Sequence, residues 1–452
     1  MRISKKIFIS GLFFLLFLFI FVSYLFDKMD FSSFSFLSAV TFFLIGIISI
    51  IELVKDGRLF SLNKMHWYFI LIFMVLTPVT QLSSGYSPWK HNYTIETTEK
   101  TNFIVLIWII SYIFAYGRNC TIKPLKKKQI VDLNQRDIVI LLALSILSVF
   151  ILVYKCGFVN LFLRDAAVFG TGTFSILFTY LFRSIPVISL ALAIYEKKKK
   201  NNIHIITIVL LVVCMIISNF PVALSRYWSG TVYLGILLVT MNYKEEMSRK
   251  LDYLIIFGLI IVFPLFSLFK NMTLSEVVGS KININLFSSF NTVDFDAYSM
   301  LGRIIEYVKI NGLSWGTQIR SVLLFFVPRA VWNIKGTPTG ELVATFQNSY
   351  YTNVSGPIMG EAYIDFGIIG VVIYAFIFAR LFLKFDKMFW LYRESDIKYV
   401  DIIYVFMVGF TIFIMRGSLQ PAFLRVMGFY LFLIMIFLYK KIKRIIDKSR
   451  NR

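Results

Sequence analysis

A helix that crosses a bilayer needs about 20 predominantly apolar residues. The chain carries roughly twelve apolar runs near that length, separated by short polar connections. They fall at 7–26, 34–54, 66–82, 102–116, 138–156, 174–195, 203–220, 228–243, 251–269, 364–383, 400–415 and 423–439. One connection is different: Lys270 to Tyr363 runs for about ninety residues, too long for a simple linker. The pattern predicts an all-α polytopic membrane protein with about 12 transmembrane helices and one large extracytoplasmic loop. Its parts are 1–269, nine spans with short loops; 270–363, the large loop with amphipathic and re-entrant helices; and 364–452, three spans and a basic tail.

Composition removes the soluble alternative, since 58% of residues are hydrophobic, 16% are charged and the mean hydropathy is +0.74. A net charge of +22 would suggest a nucleic-acid partner in a soluble chain. Here the cations gather between apolar runs, at Lys5-Lys6, Lys55/Arg58/Lys64, Lys123 to Lys128, Lys197 to Lys200, Arg249-Lys250, Lys384/Lys387/Arg393 and Lys440 to Arg452. With an even span count all of these share one side, which predicts two cytoplasmic termini and no nucleic-acid partner. The apolar run after basic Met1 to Lys6 is long and lacks a small-residue cleavage pattern, so it reads as a retained span. Cys120, Cys156 and Cys214 are scattered, as are the three histidines, so neither a metal site nor a disulfide framework is indicated, and no cofactor is expected. The cytoplasmic connections carry no phosphate-binding glycine motif, which leaves the large loop as the place for chemistry.

Within that loop, Ala297, Leu301, Ile304, Ile305 and Val308 recur at helical spacing beside a polar stripe of Asp296, Ser299, Arg303 and Glu306. This predicts an amphipathic helix on the membrane surface. The stretch Arg320 to Trp332 is apolar, too short to span and stopped by Pro328, so it is expected to lie in the interface or to dip in and return.

Arginines on the non-basic side or inside spans stand out against the charge asymmetry: Arg164, Arg183, Arg226, Arg303, Arg320, Arg329, Arg416 and Arg425. A guanidinium stays charged and offers a fork of donors that matches phosphate oxygens, so a convergent set would cradle a lipid phosphate or pyrophosphate. Taken singly, each also fits headgroup snorkelling or an ion pair, such as Arg164 with Asp165. Glu361 and Asp365 share a helical face where the large loop enters the tenth run, with Tyr363 turned elsewhere. Glu361, Asp294 and Asp296 are candidate general bases for a sugar hydroxyl, and equally candidate helix caps. Glu361 falls at the outer edge as the working carboxylate, with Asp365 one turn deeper as its support. Tyr350, Tyr351, Trp315 and Trp332 are either sugar-stacking or interfacial residues.

Phe295-Asp296 and the helix after it, Phe326-Val-Pro-Arg-Ala-Val-Trp332 followed by Lys335, and Gly360-Glu-Ala-Tyr-Ile-Asp-Phe-Gly367 resemble the Wzy-type oligosaccharide repeat-unit polymerases of O-antigen and capsule biosynthesis. The layout of many spans with one late outer loop is also similar. The resemblance implies an inner-membrane, metal-independent glycosyltransferase that moves a glycan from undecaprenyl pyrophosphate to the non-reducing end of an incoming lipid-linked repeat unit. It implies Arg183, Arg226, Arg329 and Arg416 on the phosphates, Glu361 or Asp296 as base, and a flippase and a chain-length regulator as pathway partners. A ligase using the same donor is the nearest alternative; the related ligases are expected to use a loop histidine, and 270–363 has none. A flippase or transporter is the other, although no repeat of two halves is apparent.

Overall fold

The computed structural model describes residues 5–30, 34–90, 93–117, 133–163, 169–170, 172–200, 203–241, 252, 254–255, 257–258, 290–391 and 399–450. Among these residues the regular elements are all helical. In chain order they are α1 Lys5–Asp30, α2 Phe36–Lys55, α3 Leu62–Ser83, α4 Ile95–Gly117, α5 Gln135–Cys156, α6 Thr173–Lys200, α7 Ile205–Ser218 and α8 Arg226–Thr240. The large loop contributes α9 Ala297–Asn311, α10 Thr317–Leu323 and α11 Thr339–Phe346, and the chain closes with α12 Ile358–Leu391, α13 Tyr399–Arg416 and α14 Leu419–Arg450.

Eight of these helices, α2 to α6 and α12 to α14, are long and apolar enough to cross a membrane, consistent with a polytopic membrane protein. Of the other four predicted spans, 7–26 and 203–220 contain shorter apolar helices, Ser10–Leu25 and Ile205–Ser218. The run 228–243 corresponds to the 15-residue α8, and 251–269 lies almost wholly outside the described residues.

Local chemistry shapes two of the long helices. In α3, Ser61 Oγ accepts the Lys64 N–H at 2.9 Å and starts the helix. Pro78 cannot donate to the ladder, and the turn before it, Ile72–Leu76, widens into a π-helix. In α12 the backbone breaks at Phe366 (φ −143°, ψ 19°) and Gly367 (φ 62°, ψ −145°), so the segment 358–365 departs from the axis of the rest. Gly367 occupies the left-handed region that favours glycine. Gly370 has no room for a Cβ, which would lie 2.1 Å from the Ala362 carbonyl oxygen.

The packing alternates up and down: α12 lies on α4, α6 on α5 and α14, and α13 on α8. One end of the bundle gathers the C-termini of α3, α7 and α13 and the N-termini of α4, α8, α12 and α14, with α9 to α11 over them. The opposite end gathers Arg58, Asp386 and Tyr404, together with Lys198 at the C-terminus of α8 and Lys440 against Asp137.

The helix predicted over the polar stripe forms as α9, but it does not lie on a surface. Asp296, Ser299 and Arg303 on its polar side are as buried as Met300, Leu301 and Ile304 on its apolar side. The stripe finds partners inside the protein, where Arg303 reaches Gln347 Oε1 and, at 3.0 Å, Ser349 Oγ, while Glu306 accepts from Thr97 Oγ1 at 3.1 Å. A buried polar face is stable when it is paired, and here Asp296, Arg303 and Glu306 are, while the buried Ser299 hydroxyl has no hydrogen-bond partner among the described residues.

Candidate functional site

The last residue of α13, Arg416, reaches back to the residue that precedes α9. Its Nη2 donates to Asp296 Oδ1 at 2.8 Å, and its guanidinium lies 4.6 Å from the centre of the Tyr227 ring. Asp296 is fully buried and also accepts from Trp89 Nε1 at 2.8 Å, from the Ser355 amide at 3.2 Å and from the Ser355 hydroxyl. A carboxylate has about four acceptor sites, so Asp296 is saturated. Its capacity is engaged in holding Arg416. Arg416 Nε, by contrast, is buried with no hydrogen-bond partner among the described residues. The same holds for Ser225 Oγ, Thr292 Oγ1 and Gln420 Oε1, which adjoin Arg226, Val293 and Leu419. Buried polar atoms without partners are costly, and these four lie on chain segments that meet at this end of the bundle, where a polar ligand or water would satisfy them.

Two more arginines join this group. Arg226, at the first position of α8, pairs with Asp294 at 2.8 Å, and the Tyr227 hydroxyl donates to the Asp294 carbonyl at 3.0 Å. Arg425 lies one and a half turns into α14, its guanidinium 5.5 Å from both the Phe413 and Tyr180 rings and its Nε donating to the Tyr180 hydroxyl at 3.0 Å. Tyr227 contacts Phe413 at 6.3 Å, so the aromatic rings bridge Arg416 to Arg425. Arg183 is one layer behind. It is buried, donates to the Ser218 carbonyl that ends α7, and connects through Asn219 to the Trp228 indole, 4.4 Å from Tyr180. A cation at a helix C-terminus is favourable, which gives Arg183 a structural task of its own.

Glu361 and Asp365 differ in what holds them. Asp365 accepts four hydrogen bonds, from Ser314 Oγ (2.6 Å), the amides of Gln318 (3.0 Å) and Ile319 (2.9 Å), and the Tyr374 hydroxyl (2.8 Å). It caps α10. Glu361 accepts only two, from Thr339 Oγ1 at 2.7 Å and the Leu419 amide at 2.8 Å, one on each oxygen. It is buried and retains acceptor capacity, three residues along the chain contact from Arg416. Tyr363 packs half-buried between the main core and the small core under α11.

The remaining predicted phosphate ligands do not join the group. Arg329 is exposed and donates to the carbonyls of Lys335 (2.9 Å) and Gly336 (3.1 Å), within its own loop. Arg320 folds onto Gly316 O at 3.2 Å and Thr317 Oγ1 at 3.1 Å. Arg303 serves the loop after α11; burial pulls its guanidinium below the ordinary value, with Asp296 opposing. Arg164 lies outside the described residues. Residues that local pattern did not single out, Trp89, Tyr180, Tyr227, Ser355 and Thr339, make up much of the framework. Trp89 also stacks on Tyr351, ring centres 5.4 Å apart, next to Asp296.

Among the described residues no group of three or more His, Cys, Asp or Glu is placed to hold a metal ion. The arrangement offers forked donors for an anion, a partly unoccupied carboxylate nearby and stacked aromatic rings. No protein-family model, curated protein or solved structure matches the chain.

Proposed function

We propose that this protein is a polymerase of lipid-linked oligosaccharide repeat units in O-antigen or capsule synthesis, working at the outer face of the bacterial cytoplasmic membrane with both termini cytoplasmic. The observation that carries the reading is Arg416, fixed by a saturated Asp296 and stacked on Tyr227 while its Nε has no partner among the described residues. A guanidinium oriented in this way is prepared for phosphate oxygens before substrate arrives.

In the proposed reaction a hydroxyl oxygen of the incoming repeat unit attacks the anomeric carbon of the donor glycan. The bond from that carbon to the pyrophosphate oxygen breaks as the new glycosidic bond forms. The hydroxyl proton passes to Glu361, whose carboxylate has acceptor sites to spare. The departing undecaprenyl pyrophosphate carries its growing negative charge to Arg416, Arg226 and Arg425. Asp296 and Asp365 are positioning residues, the first for Arg416 and the second for α10. A flippase that delivers the units and a chain-length regulator are the expected partners.

The test is polymer length in cells that depend on this protein, with the variant's membrane level measured alongside. Glu361→Gln and Arg416→Lys at normal level are expected to abolish long chains. Long-chain polymer from both variants would overturn the reading.

A further inference from the structure

The arginine that sequence pattern placed among the phosphate ligands, Arg329, belongs to a different structure. Residues 324–336, between α10 and α11, run as a succession of turns. From α10 through this segment, large apolar side chains point outward: Leu323 is 61% exposed, Phe326 53%, Val331 76% and Ile334 79%. Irregular backbone in water can leave its carbonyls to solvent; in an apolar medium each must find an internal donor. In this segment about half of the carbonyls have internal donors, and the others, such as those of Ala330 and Asn333, are left to headgroups. Lys335 Nζ donates to the carbonyls of Phe325 (2.7 Å) and Val327 (2.9 Å), and Arg329 covers those of Lys335 and Gly336. Leu324, Pro328 and Trp332 carbonyls accept amides of Val327, Val331 and Lys335, and the Gly336 amide donates to Ser321 Oγ. Lys335 is therefore buried against carbonyls and Arg329, though exposed, is folded back onto two more, while the apolar side chains face out, the reverse of a loop built for water.

Its placement agrees. α10 packs against α14 and α12, two helices of spanning length, and the Phe325 ring meets Phe423 in the second turn of α14 at 5.7 Å. The apolar outer surface of the segment thus continues the outer surface of the bundle at the Arg416 end. The segment is too short to cross a bilayer.

We propose that residues 323–334 form a tip that inserts into the bilayer, at the boundary of headgroups and acyl chains in the leaflet at the Arg416 end. The occupant of this surface is lipid. Arg329 and Lys335 hold the tip's backbone closed. The inference rests on the tip alone and stands whether or not the polymerase reading does.

The full-length protein in lipid nanodiscs, with Cys120, Cys156 and Cys214 replaced by alanine, is spin-labelled singly at Phe326→Cys, Val331→Cys and, as a water-exposed reference, Tyr350→Cys. Collision rates are read with oxygen, which concentrates in lipid, and with a water-soluble nickel chelate. The oxygen-to-nickel ratio is expected to rise at 326 and 331 relative to 350. Nickel collision at 326 and 331 equal to that at 350 would overturn the proposal in favour of a water-facing loop. Protection from both reagents would overturn it in favour of a protein partner or a second copy. If the cysteine-free chain does not fold, the native protein and Trp332→Phe are compared with headgroup-proximal brominated lipids. The variant is expected to lose a share of the quenched tryptophan emission, and an unchanged share contradicts insertion.

Discussion

The two ends of the bundle each bury carboxylates against arginine, and they complete the task differently. At the Asp386 end, Arg58 lies between two acids, with Nε 2.6 Å from Asp56 Oδ1 and Nη1 3.2 Å from Asp386 Oδ2. Asp386 accepts further from the amides of Leu62 (2.9 Å) and Asn63 (3.3 Å) and from the Tyr116 and Tyr404 hydroxyls. Nearby Lys64 rests on Asp252 at 2.9 Å. Here Arg58 and Lys64 each have a carboxylate, and α3 is tied by its N-terminus to α12. At the Arg416 end, Arg416 uses one edge of its guanidinium on Asp296 and leaves Nε buried without a hydrogen-bond partner among the described residues. Arg425 meets rings and a hydroxyl, with no carboxylate contact among the described residues. One cluster is closed upon itself and fastens helices; the other has donor capacity left for an anion. The difference separates a structural ion network from a binding site when both are built from the same residue types.

The sharpest way to break the comparison is to remove the centre of the closed cluster. Asp386→Ala leaves Arg58 without half of its pairing and two amides of α3 without acceptors, a loss of about 3–5 kcal/mol. It should appear as a large fall in melting temperature of the purified protein; an unchanged melt would mean this end is not a fastening. Glu361→Gln keeps shape and removes the proposed base, so the proposed transfer should slow about 100- to 10,000-fold. Its melting temperature should stay close to that of the parent, and a rate within a few-fold of the parent would remove Glu361 from the chemistry.

A smaller effect is expected from the break that sets the 358–365 segment apart. Gly367→Ala forces a Cβ into φ 62°, at a cost of about 1–2 kcal/mol. Because Glu361 rides on that segment, the rate should drop together with the melting temperature. The smallest effect is in acid. Burial pushes the Asp56 carboxyl up, but the hydrogen bonds and charge of Arg58 outweigh it and hold the group below its ordinary value. A carboxylate with a lowered folded pKa contributes stability that is complete above its unfolded pKa, about 3.9, and is lost as pH falls through the folded value. Melting curves of the parent should therefore lose this contribution only below about pH 4, and Asp56→Asn should lack that acid-dependent component.

How much of this was legible in the chain depends on the range of the interaction. Apolar runs locate the eight helices long and apolar enough to span, though not all twelve expected, because each run reports on its own surroundings, as 34–54 does for α2 and 400–415 for α13. The arginine theme was also legible, because cations against the charge asymmetry need a reason. Which arginines meet was not. Arg416 and Asp296 are 120 residues apart, and no local spacing links them. Arg329 looked equivalent to Arg416 from composition, yet its partners are carbonyls six and seven residues along its own loop. The stripe of α9 reads as one side of a helix on the membrane surface for the same reason: Gln347 and Ser349, which accept from Arg303, lie in a later loop. The break at Phe366-Gly367 fell inside an apolar run, where glycine is unremarkable in pattern and decisive only through its φ.

The central claim is that the Arg416 end receives a pyrophosphate and the Asp386 end does not. The most direct measurement is the melting temperature of the purified protein titrated with a short-chain isoprenyl pyrophosphate, for the parent and for Arg416→Lys. The account predicts a saturable rise in the parent. In Arg416→Lys, which keeps the charge and loses the fork, the concentration needed should be about tenfold higher, the equivalent of one charge-assisted hydrogen bond. No rise in the parent, or the same titration curve in both proteins, would contradict it.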